Sequence, residues 1–309
     1  MFLIVPCSLL LGFLFSEQLR RFVPAVPYLF AYVTLTMAIG CGLGQLRAVV
    51  RRPSVVAWTF VLTHVLSPLV AFGLGSALFG ADSPYVVGFV LFTIIPLGVS
   101  TVLWVGMSSG SVPLILAMVV IDSALSPVVV PWGIRLLFHT AVQTDTLGMV
   151  SDLALIIVAP TAIGIALHGL TKGRIQPIVQ PYAGPVSKIC FAAVVAFNAA
   201  AIQPYMSTLG GDLVRIVPMS VLIVGLCYAI GFFGSAPYRD QELQVTISYA
   251  SGMRNISLGI VLALGYFSPL AAVPVVLSIM IQQPLATVHH YALQKIYNRK
   301  AGTEISGQV

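Results

Sequence analysis

What most constrains this chain is the recurrence of apolar runs, each about the length needed to cross a bilayer and separated by short polar breaks. A hydrocarbon core of ~30 Å requires about 20 apolar residues per helix. Ten such segments can be cut: 1–16, 26–46, 53–80, 84–108, 111–138, 147–171, 183–205, 213–236, 243–266 and 268–293. Only 8% of residues are charged and 58% are hydrophobic, whereas a soluble domain carries roughly a quarter charged residues. Lipid is therefore the main solvent. Backbone polar groups in lipid must be satisfied internally, and these lengths suit helices rather than a barrel. The expectation is an all-α integral membrane protein, one domain over 1–309.

The net charge of +6 is scattered, with no basic patch interleaved with aromatics, so a nucleic-acid partner is not expected. Cys7, Cys41, Cys190 and Cys227 stand alone in apolar runs, without metal-ligand spacing. The opening "MFLIVPCSLLLGFLF" lacks a basic n-region and an A-x-A site, and reads as a first helix rather than a signal peptide. With both termini in the cytoplasm, Arg47, Arg51, Arg52, Lys172, Arg174, Lys188, Arg239, Lys295, Arg299 and Lys300 fall on or near the inside, against Arg20, Arg21, Arg135 and Arg215 outside. The positive-inside rule favours that orientation, in the cell (inner) membrane.

Two segments are interrupted. The fourth contains Pro96, Gly98, Ser100 and Thr101; the ninth contains Ser251, Gly252, Arg254 and Asn255. Each is the fourth segment of its half of the chain. That is the pattern of a five-plus-five inverted repeat, about 1–140 and 147–293, whose broken helices meet at a midplane binding site. Broken helix ends leave backbone N–H and C=O groups ready to hold ions.

The stretches "PLGVSTVLWVGMSSGSVPLILAMVVIDSALSPVVVP" and "SGMRNISLGIVLAL", with Gly252, Met253, Asn255, Leu258 and Gly259 in a G-M-x-N-x-x-L-G pattern, resemble the bile acid:sodium symporter family. The resemblance covers nearly the whole chain. It implies an organic-anion transporter with a core (segments 3–5 and 8–10) and a panel (segments 1–2 and 6–7). In that family the fourth and ninth helices cross, and two sodium ions bind behind the crossing.

The family's sodium positions fall here on Thr101, Val102, Ile115, Val119, Ala250, Ser251, Met253 and Arg254, with a further glutamine position near Thr63. Ala250 stands where the resemblance implies a glutamate, Arg254 where it implies a glutamine, and Val102 where it implies an asparagine. A hard cation needs an oxygen cage, so these sites read as degenerate and no metal or other cofactor is expected. Proton coupling, facilitated transport and a remodelled sodium site all remain open.

Arg254 is costly at membrane depth unless paired. The other intramembrane charge is Asp122, expected to be its counter-ion, with broken-helix carbonyls accepting the remaining guanidinium N–H groups. Three roles stay open for Arg254: replacing a sodium charge, gripping a substrate carboxylate, or fixing the crossing. Ser100, Thr101, Asn255, Gln282 and Asn198 are candidate substrate-binding residues; Thr63 and His64 join Arg254 and Asp122 as coupling candidates. An intramembrane serine hydrolase using Ser100 and His64 lacks a nucleophile turn, and no phosphate-binding loop is present. The expected partners are a small organic anion and lipid; the oligomeric state, monomer included, is not readable.

Overall fold

The computed structural model describes residues 4–42, 44, 49, 51–138 and 145–306; Arg47 lies outside them. Its helices run α1 Ile4–Leu14, α2 Val26–Ala38, α3 Pro53–Phe79, α4 Pro84–Ile94, α5 Thr101–Met107 and α6 Val112–Phe138. They continue with α7 Thr146–Leu170, α8 Ile175–Tyr205, α9 Gly210–Tyr238, α10 Gln241–Gly252, α11 Ile256–Tyr266 and α12 Pro269–Ser306. No β-strand occurs among the described residues. Among the described residues six helices, α3, α6, α7, α8, α9 and α12, are long and apolar enough to cross a membrane.

The chain is an integral membrane protein, and its surface fits that solvent. Leu14, Leu136, Leu155, Leu170 and Val214 lie outward and exposed, a pattern tolerated when the surroundings are hydrocarbon. Inside, α1, α2 and α8 pack together with α7 on α2, while α4 is held between α3 and α12, and α9 packs on α10 and α12.

The interruptions in the fourth and ninth segments have local causes. Pro96 has no N–H and disfavours helical geometry in the residue before it; Ile95 accordingly turns extended, with ψ 154°. In the other segment Met253 is extended at φ −114° and ψ 119°. The two unwound stretches cross as an antiparallel bridge between Leu97 and Arg254. Gly98 N–H donates to the Met253 carbonyl at 3.1 Å, and Asn255 N–H donates to the Pro96 carbonyl at 2.9 Å. Each break thus satisfies backbone groups that the other leaves open.

Close approach explains two glycines. A Cβ on Gly98 would sit 2.6 Å from the Arg254 carbonyl oxygen, and one on Gly252 would sit 2.3 Å from the Tyr228 ring. Any side chain at either place pushes the crossing apart or displaces α9.

Candidate functional site

Arg254 is 1% exposed at the centre of the crossing. Its backbone is clasped by Gln282 of α12. Arg254 N–H donates to Gln282 Oε1 at 2.7 Å, and Gln282 Nε2 donates to the Arg254 carbonyl at 3.3 Å. The amide mimics a neighbouring strand on the side that the fourth segment does not cover.

The guanidinium reaches α3. Arg254 Nη2 donates to the Thr63 carbonyl at 3.0 Å, and the sequence explains why that carbonyl is available. Residues Leu62–Leu66 form a π turn in which Ser67 N–H bonds Leu62 O, so the usual donor to Thr63 O is already engaged. The next residue, Pro68, has no N–H to offer. The carbonyl is thus taken from an unbroken span, not from the broken helices as expected. Arg254 Nε and Nη1 have no hydrogen-bond partner, and the Cys227 thiol of α9 lies beside the guanidinium.

Asp122 is also 1% exposed, but its direct partner is His64 rather than Arg254. His64 Nε2 lies 2.7 Å from Asp122 Oδ1, and Leu97 N–H donates to Asp122 Oδ2 at 2.7 Å. His64 Nδ1 lies 3.1 Å from the Ile94 carbonyl. Both backbone groups belong to the break: Gly98 N–H, which would have bonded Ile94 in a continuous helix, is bonded to Met253. The expected ion pair between Arg254 and Asp122 is not formed: the guanidinium bonds the Thr63 carbonyl, and Asp122 faces His64 and Leu97 N–H.

The other candidates separate into two places. At the crossing, the Thr101 hydroxyl donates to the Gly98 carbonyl, and Ser100 Oγ accepts from Gln283 Nε2 at 3.4 Å. Gln283 Oε1 in turn accepts from Trp104 Nε1 at 3.0 Å. Gln283, which with Gln282 precedes Pro284 in the sequence, thereby ties Ser100 to Trp104. Ala250, Ser251, Met253, Ile115 and Val119 are all buried in the same core, and Val102 packs against it. Their side chains offer few oxygens beyond the hydroxyls of Thr101 and Ser251, the latter without a partner.

Asn198 lies elsewhere. It lines a cavity of about 220 Å³ with Val23, Pro27, Asp152, Leu258 and Tyr266. It is 1% exposed, and neither its amide oxygen nor its amide nitrogen has a partner. Tyr266 O–H donates to Asp152 Oδ2 at 2.5 Å on the same wall. Leu258, in the first turn of α11, links this cavity to the crossing three residues away.

A sequence model of the sodium bile acid symporter family matches residues 26–204. A Bacillus subtilis (strain 168) protein described as "Uncharacterized protein YbaS" is 33% identical over 294 residues, covering 95% of this chain and 96% of the relative. The chain belongs to the sodium bile acid symporter family. The "Uncharacterized sodium-dependent transporter YocS" of the same organism is 26% identical, with 89% of this chain and 87% of the relative covered. "Probable sodium/metabolite cotransporter BASS6, chloroplastic" of Arabidopsis thaliana is 25% identical, covering 85% of this chain and 65% of the relative. As a family member the chain is a secondary transporter of a small-molecule solute, and not an enzyme.

Proposed function

We propose that this transporter carries a small organic anion by alternating access, without classical sodium coupling. Its ten spans form inverted repeats, about 1–140 and 147–293, with both termini cytoplasmic in the cell (inner) membrane. A core of segments 3–5 and 8–10 moves against a panel of segments 1–2 and 6–7. One observation carries the reading: a buried guanidinium at the crossing of two broken helices, with Nε and Nη1 unpartnered.

A fixed positive charge there replaces what a cation would supply. Arginine stays protonated in proteins, so the charge is permanent. The N-termini of α5 and α11 meet beside it and suit a carboxylate. Ser100, Thr101 and Asn255 lie at those termini, and the Asn198 amide receives the polar part of the solute in the apolar cavity. In the proposed orientation that cavity opens away from the cytoplasm. The names of two relatives, a sodium-dependent transporter and a sodium/metabolite cotransporter, favour a second reading, a sodium symporter with a remodelled site that uses Thr101 and Ser251.

The test is counterflow in proteoliposomes with a panel of radiolabelled mono- and dicarboxylates, for wild type and Arg254→Gln. Saturable exchange of at least one carboxylate, weakened in Arg254→Gln, supports the reading. Exchange of neutral or cationic solutes alone overturns it.

A further inference from the structure

We propose that Asn198 reads an uncharged carboxamide edge, so that the carried solute is a small monocarboxylate bearing a primary amide or a lactam. The inference deepens the organic-anion reading above and rests on it for the carboxylate alone.

Asn198 belongs to α8, which packs against α11. It is 1% exposed, and neither its amide oxygen nor its amide nitrogen has a partner. A buried amide in that condition is destabilising, because it has given up its hydration and gained no bond in return. An asparagine amide offers an acceptor and a donor side by side. Exchanging its two ends changes nothing here, since both are open. An occupant that satisfies them must therefore bring a donor and an acceptor at the same spacing.

That requirement sorts the polar groups a solute can carry. A carboxylate only accepts, so it would serve the amide nitrogen and set its lone pairs against the amide oxygen. An ammonium only donates, and would leave the amide nitrogen without an acceptor. A hydroxyl has one oxygen, which cannot meet both ends of the amide with straight hydrogen bonds. A carboxylic acid has the right edge only while protonated, and carboxyl groups ionise near about pH 4. A primary carboxamide or a lactam presents N–H beside C=O and closes two parallel bonds of about 2.9–3.0 Å.

The cavity beside Asn198 sets the remaining limits. Its volume of about 220 Å³ lies below the ~300–1,000 Å³ of pockets for drug-sized ligands, so the solute is small. Leu258, in the first turn of α11, and Tyr266, its last residue, both line it. The helical rise separates these two by about 12 Å along the axis. At the Leu258 end, α11 begins without a side-chain cap on its first-turn N–H groups, and the solute carboxylate belongs there. Pro27, Leu153 and Leu262 keep the walls apolar. At the Tyr266 end stands the Asp152 carboxylate, which accepts from Tyr266 O–H. A second carboxylate on the solute would meet that like charge, so dicarboxylates are disfavoured.

The test combines thermal unfolding in detergent with proteoliposome counterflow, using succinamate, L-pyroglutamate, succinate, butyrate and neutral butyramide. Succinamate and pyroglutamate each join one carboxylate to one amide edge. Wild type should take at least one of them about 5–150-fold more tightly than butyrate or succinate. In Asn198→Leu that ratio should fall toward one. Wild-type affinity equal for plain and amide-bearing monocarboxylates would overturn the amide assignment and leave the anion reading standing, as would a preference that survives in Asn198→Leu. Butyramide that raises the unfolding midpoint of wild type but not of Asn198→Leu, with no carboxylate exchanged, would keep Asn198 as an amide site and overturn the anion reading. Neither a midpoint rise nor exchange with any amide-bearing probe would overturn the proposal outright.

Discussion

Replacing Gly98 with alanine tests the crossing at its tightest point. The added Cβ would lie 2.6 Å from the Arg254 carbonyl oxygen and 2.9 Å from its carbon. Neither contact can relax through a side chain, because both atoms are backbone. The two unwound stretches must separate, weakening the Gly98 N–H bond to Met253 and the Asn255 N–H bond to Pro96. Two backbone hydrogen bonds contribute about 1 kcal/mol each, and overpacking adds about 1–3 kcal/mol. The expected loss is about 3–5 kcal/mol, read as a lower unfolding midpoint in detergent against a Gly225→Ala control. Gly225 lies in α9 with nothing within 4 Å of its would-be Cβ, so alanine there should be neutral or gain up to about 1 kcal/mol. Equal midpoints for the two variants would refute the bridged crossing.

Gln282→Leu strips the clasp from both polar groups of Arg254 and should cost about 2–6 kcal/mol, since each buried group left unpaired costs about 1–3 kcal/mol; thermal unfolding reads it. Asn198→Leu should do the opposite for stability, raising it by about 1–3 kcal/mol because a buried amide without partners is removed. The same variant should raise KM in a transport assay, and a stabler protein with unchanged KM would exclude Asn198 from the solute site. The double substitution Ala250→Glu with Arg254→Gln installs the acid and amide implied by the family resemblance. It should make the unfolding midpoint rise when sodium replaces potassium, as ligand linkage requires, whereas wild type should show no such rise.

The breaks and the buried arginine were legible because they rest on local chemistry. Pro96 and Gly98 cannot continue a lipid-embedded helix, and Arg254 in an apolar run must be offset by something. The partners were not legible, since each depends on a register set by distant packing. His64 and Asp122 sit on different spans, and nothing in "LTHVL" or "MVVIDSA" indicates that their faces meet. The Thr63 carbonyl could be found only by combining Pro68 with the π turn, and hydropathy does not report helix winding. Gln282 was read as a cavity-facing amide for the same reason: polarity in a span signals a constraint without naming its partner. Here that constraint is the backbone of Arg254.

A fixed guanidinium charge standing in for a bound cation would make transport independent of sodium. The most direct test is initial uptake of a transported carboxylate into proteoliposomes at fixed pH, with external sodium replaced stepwise by choline. The same rate is expected across the whole series. A rate that falls toward background as sodium is removed, and returns in proportion when it is restored, would contradict the account and place the cation back at the crossing.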